Sequence, residues 1–181
     1  MELITQDVRK MIKFLKIIIT ILIISPKVLM SADMSGYLLN KAIEEFNNKN
    51  YESAYKSLTN IAPTGNPVAN YLLGQMYLKG LGIEPNYKIA YDKILYSSQK
   101  LFKHDKSLAI ESQITLSNMY ANGIGTDIDE SKAYMWSFIA YKTSENIHLT
   151  YLESLQSSID TEDIKNIEEK GLRLLKNIIK D

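Results

Sequence analysis

Few residues of this 181-residue chain have the types needed for chemistry, and each group fails on its spacing. Of the two histidines, His104 lies in the linker Lys103-His-Asp-Lys106. His148 lies in a helical stretch with no carboxylate at ligand spacing, so both read as ordinary surface or partly packed side chains. Asp127-Ile-Asp129-Glu-Ser131 opens like a calcium loop, with oxygens at alternate positions. Its sixth position is Lys132, where the sharp turn needs glycine, and its twelfth is Phe138, where a bidentate glutamate belongs. Gly80-Leu-Gly82 and Gly123-Ile-Gly125 are not phosphate cradles, because they follow helical patterns and lack the further glycine and lysine. Glu44 and Glu45 are adjacent on a helix and point apart, which makes a poor acid/base pair. No serine sits in a nucleophile elbow. The absence of cysteine removes thiolate metal sites, a cysteine nucleophile and disulfides alike. The expectation is no catalytic residue, no cofactor and no metal.

The two Gly-x-Gly stretches recur for another reason. Ala69-Asn-Tyr-Leu-Leu73-Gly74-Gln-Met-Tyr77-Leu-Lys-Gly80-Leu-Gly82 is answered by Ser112-Gln-Ile-Thr-Leu116-Ser117-Asn-Met-Tyr120-Ala-Asn-Gly123-Ile-Gly125. Tyr77 and Tyr120, Gly80 and Gly123, Gly82 and Gly125, and Ala90 and Ala133 are all 43 positions apart. An internal period of that size marks stacked helical or strand units. Residues 67–79 place Val68, Leu72, Met76 and Leu78, with Ala69, Leu73 and Tyr77, at spacings of three and four, an apolar helical stripe. Pro67 suits a first helical turn, and Gly80 can end the helix in a left-handed conformation. Asn86 and Asp129 are N-caps for return helices predicted at 87–100 and 130–142. Each unit is then a helical hairpin whose buried face is too small to stand alone, so stacking must supply the core. Alanines at 69, 90, 133 and 140 let the backbones approach closely.

The pattern of a small residue, Leu-Gly, Tyr, Gly-x-Gly-aliphatic, Asp or Asn, then Ala and an aromatic resembles the Sel-1-like repeat, a relative of the tetratricopeptide repeat. The second copy carries the aromatic as Trp136, followed by Ala140. The first has Lys93 in that slot, and Ser97 and Ser98 where the family tends to have alanines. Ala54, Ile61, Ala62, Gly65 and Ala69 fit the second half of a preceding unit, whose first half, Ala42 to Phe46, lacks the Gly-x-Gly turn. The resemblance implies an all-α fold, an α/α solenoid of stacked antiparallel helix pairs with a C-terminal helical cap. It divides the chain into 1–32, 33–66 (a degenerate first hairpin), 67–145 (two Sel-1-like repeats) and 146–181 (capping helices). In such solenoids the first helices of successive units line the concave face, which makes Asn70, Tyr71, Gln75, Gln113 and Asn118 the candidate protein-binding residues, with Tyr71 expected to be exposed. Tyr77, Tyr91, Tyr120 and Tyr134 are expected in or beside the core.

Charge and termini complete the picture. Lysine plus arginine and aspartate plus glutamate each total 21, so the basic excess of a nucleic-acid binder is missing. From Met11 the chain reads Met-Ile-Lys13-Phe-Leu-Lys16, then an apolar run from Ile17 to Ile24, then Ser25-Pro26, with Met30-Ser31-Ala32 as an exit site. This is the layout of a secretory signal peptide, with an uncleaved membrane tether as the alternative. Residues 1–10 fit such a region badly, and Met11 is a second candidate start. At the other end, 146–158 and a stretch from Asp160 or Thr161 to about 179 read as helices whose lysines and arginine form a solvated face. Leu101 to Leu108 carries part of the extra length over a 34-residue tetratricopeptide unit, as a partner contact or an elongated loop. The expected function is non-catalytic. The resemblance implies an exported adaptor or regulator, periplasmic or secreted or tethered to the inner membrane, that holds a protein or peptide on its concave face. The alternatives are an enzyme acting on cell-wall-related substrates and a structural homo-oligomer.

Overall fold

The computed structural model describes residues 12–14, 16, 34–144 and 149–180. The chain divides into two compact units, 1–41 and 42–181. In the first, residues 12–14 and 16 are helical, and the rest of the expected signal segment, 1–32, lies outside the described residues, as do Ile147 and His148. Every regular element among the described residues is helical, and no helix there is long and apolar enough to cross a membrane. The fold is an α/α solenoid, as the repeat pattern implied.

Helix α1 covers 34–47 and closes with Lys49 left-handed (φ 62°), the Asn50 N–H donating to the Glu45 carbonyl at 2.8 Å. This six-to-one closure satisfies helix-end carbonyls where the later hairpins use glycine. After α2 (Tyr51–Ile61) the chain turns through Ala62–Thr64 into α3 (Pro67–Lys79). Pro67 stands in the first turn of α3, and Asn66 caps the helix by accepting from the Ala69 N–H at 2.9 Å. Gly80 (φ 65°) ends α3 and Asn86 starts α4 (Tyr87–Lys100). Gly123 (φ 65°) ends α5 (Lys106–Asn122) and Asp129 starts α6 (Glu130–Thr143). The return helices thus begin where the sequence placed them. Leu101 to Leu108 is no open loop. Leu101 is fully buried in a short 3-10 turn, Asp105 caps α5, and α5 has 17 residues to the 13 of α3.

The large interfaces join consecutive helices, α3 with α4, α4 with α5 and α5 with α6. Ala54, Ala90 and Ala133, at equivalent places on the second helices, are fully buried, as are Ala69, Met76 and Leu116 on the first. The two serines standing for alanines in the first repeat hold neighbours together. Ser97 donates to the Pro67 carbonyl at 3.1 Å, and Ser98 shares a 2.9 Å hydrogen bond with Ser112 of α5. At the far end α7 (Leu149–Gln156) and α8 (Thr161–Lys180) lay Leu152, Ile164 and Ile167 against Tyr134 and Phe138.

Asp129 makes one of these joints testable. Burial pushes its carboxyl up, but the backbone N–H of Lys132, the Lys132 ammonium and its charge outweigh that and hold it below 3.8. A depressed folded value means that the stabilisation is full above the unfolded pKa of about 3.9 and is lost as pH falls through the folded one. Asp129→Ala is expected to cost about 1 kcal/mol at pH 7, and Asp129→Asn, which keeps the capping oxygen, less. In urea titrations the gap between the wild type and Asp129→Asn should close as pH drops below 4; a gap independent of pH would refute the assignment.

Candidate interaction surface

Helix α3 is flanked by α2, α4 and α5, and residues 69–76 are buried without a break. Three of the five candidate residues, Asn70, Tyr71 and Gln75, fall in that run, and Gln113 on α5 is buried as well, which overturns their expected place on an open concave face. Tyr71 is 6% exposed, and its hydroxyl donates to Glu111 Oε2 on α5 at 3.0 Å. Burial, reinforced by the Glu111 charge and hydrogen bond, holds the phenol in its neutral form well above the ordinary range. Gln75 is also buried, its Nε2 3.5 Å from Thr115 Oγ1. Asn70 donates from Nδ2 to the carbonyls of Asn66 (2.9 Å) and Ala62 (3.3 Å). Gln113 is fully buried with its Nε2 3.4 Å from the Ser98 carbonyl, and its Oε1 has no partner among the described residues. Only Asn118 of the five is exposed. A helix enclosed on three sides keeps almost no polar stripe, whatever its own periodicity suggests.

The structure nevertheless brings two of the candidates together. Gln75 and Asn118 line one cleft of about 270 Å³ between α3 and α5, walled by Leu78, Ile114, Thr115 and Met119. Sequence reasoning missed Thr115 and Glu111 because it paired positions 43 apart. The physical neighbours across the first-helix interface are 40 apart, Tyr71 with Glu111 and Gln75 with Thr115. Sequence equivalence and spatial contact differ there by about one helical turn.

The tyrosines repeat a second device. Tyr55, Tyr91 and Tyr134 each stand directly after a fully buried alanine of a second helix. The Tyr55 hydroxyl shares a 2.8 Å hydrogen bond with Tyr77 across an edge-on ring pair, and Tyr91 does the same with Tyr120 at 2.7 Å. At the end of the array Tyr134 donates instead to Glu168 of α8 at 2.9 Å. Burial and then the bond to Tyr91 raise the Tyr120 pKa, and burial and then Glu168 raise that of Tyr134, so both phenols stay protonated. These hydroxyls orient one hairpin on the next. Among the described residues no cluster of acidic or histidine side chains could hold a metal ion.

Comparison with known proteins agrees with this geometry. Residues 67–92 and 110–142 match the Sel1 repeat family model. No curated protein matches the chain. Among solved structures, c5321, a protective antigen present in uropathogenic Escherichia coli strains and displaying an SLR fold, superposes with a TM-score of 0.70 at 17% identity. That match covers 82% of this chain and 32% of the other. A Sel1 repeat protein from Oxalobacter formigenes gives a TM-score of 0.33 at 24% identity, over 59% of this chain and 56% of that one. The chain thus spans about a third of the length of the first and just over half of the second.

Proposed function

We propose, from the premise that this chain carries two Sel1 repeats in an α/α solenoid, that it is a non-catalytic scaffold holding a protein or peptide segment against the face of its first helices. In this reading it is an exported bacterial adaptor or regulator, periplasmic or secreted, with the apolar stretch 17–24 acting as the export signal or as a tether. The observation that carries the binding role is the α3–α5 cleft. There Asn118 offers an exposed amide beside the partly exposed apolar side chains of Leu78 and Ile114, a combination that suits a peptide better than a small polar substrate. Repeat arrays of this kind make continuous surfaces from stacked first helices, and framework residues conserve the stack while surface residues choose the partner.

The test is crosslinking in the native cell envelope through a photoreactive residue at Asn118, with the same residue at Gly36 as a control site, followed by mass spectrometry. One partner protein captured from Asn118 and absent from Gly36 is the expected result. Self-crosslinks alone would replace the adaptor by the homo-oligomer, and recovery solely from the cytoplasmic fraction would remove the export half of the proposal.

A further inference from the structure

A second cleft, of about 390 Å³, opens where α2 and its 3-10 turn meet α3 and α4, and it is separate from the α3–α5 face. Thr59, Ala62, Pro63, Leu73 and Tyr77 form its walls, and Lys93 and Asn70 supply its charged and polar groups. Lys93 is half-buried on α4. Its ammonium donates to Asn70 Oδ1 at 3.2 Å, and among the described residues no carboxylate pairs with it. The two N–H donations of Asn70 to backbone carbonyls fix its amide so that Oδ1 is turned to Lys93. Burial opposes the charged form of Lys93 and lowers its pKa from 10.5. A cation withdrawn from water without a counter-charge is destabilising unless something supplies one.

The second repeat shows what this place looks like when it serves packing alone. Forty-three positions on, Lys93 becomes Trp136, Asn70 becomes Gln113 and Leu73 becomes Leu116. Trp136 is 2% exposed, and Gln113 and Leu116 are fully buried, so the space is filled. Gln113 Oε1 lacks the donor that Lys93 gives Asn70 Oδ1. The first repeat has therefore exchanged a buried aromatic for a cation, a fixed amide and a cleft. The volume would hold about a dozen waters, or one short acid.

We infer that this cleft binds a carboxylate on a short aliphatic stem, with Lys93 as its counter-ion and Leu73 and Pro63 packing the stem. Tyr77 lines the cleft, and when Tyr55 donates their mutual hydrogen bond the Tyr77 hydroxyl proton is left for the ligand's second oxygen. The carboxylate belongs either to a free diacid or to a glutamyl side chain of a protein, and the chemistry is the same.

The experiment titrates the full chain, by NMR of the Leu73 methyls and the Lys93 side chain, with three probes: glutarate, a blocked Gly-Glu-Gly tripeptide and its Gly-Gln-Gly counterpart. Saturable shifts with glutarate alone identify a free acid as the source, and shifts with the glutamyl peptide identify a protein side chain. Either supports the site. No response to either acid, or an equal response to the glutaminyl peptide, overturns it. Lys93→Met should weaken binding by about tenfold or more, and Lys93→Arg should retain it. Lys93→Trp, copying the second repeat, should abolish binding while leaving the chain folded by circular dichroism. Binding should also fade as pH rises, at a lower pH than an ordinary lysine would give, because the protonated ammonium is the partner. Unchanged affinity in Lys93→Met would assign the cleft to packing alone.

Discussion

Gly125→Ala should cost the chain about 3 kcal/mol. Two effects combine. Gly125 sits at φ 71°, where an L side chain is strained by about 1 kcal/mol or more. A methyl group there would also overlap the Tyr87 carbonyl and lie 3.0 Å from Tyr91 Cβ, both on the preceding hairpin, and overpacking of that kind typically costs about 1–3 kcal/mol. Gly82 stands in the same relation to Tyr51 and Glu52 one unit earlier. The second glycine of each Gly-x-Gly is thus where one hairpin's turn rests against the backbone that opens the previous return helix. Gly36→Ala is the control, since among the described residues nothing lies within 4 Å of the added carbon. Urea midpoints of the two variants should differ widely; equal midpoints would show that the close approach to Tyr87 has no energetic weight.

Trp136→Ala should be comparably severe, at about 3–5 kcal/mol, because it empties a fully enclosed site in α6. The same change at Lys93, its counterpart one repeat earlier, should fall within about 1 kcal/mol, since a half-buried cation facing a cleft leaves little void when removed. Chemical denaturation of the two variants side by side measures the difference between a repeat that is packed and one that is open. Similar losses would mean that the cleft is not a true gap in the first repeat.

The helices themselves were legible in the sequence because local signals agreed. Pro67 in a first turn, Asn86 and Asp129 as caps and glycines at the helix ends each act within a few residues of their own position. The candidate surface was far less legible. Tyr71 and Gln75 look polar enough to face solvent, yet α5 passes over them, and no property of α3 alone announces that neighbour. The 43-residue period identified equivalent positions correctly but pointed one turn away from the contacts across α3 and α5. Lys93 was visible as a departure from the aromatic at Trp136. That it opens a cleft beside a fixed asparagine depends on Ala62, Pro63 and Tyr77 arriving from other elements.

From α3 to α6 each helix joins chiefly the next in sequence, and that has an evolutionary consequence. A hairpin can change its recognition chemistry while altering only the two seams it shares with adjoining units. Lys93 in one unit and Trp136 at the equivalent place in the next show that adjoining units of one stack accommodate different chemistry at the same position.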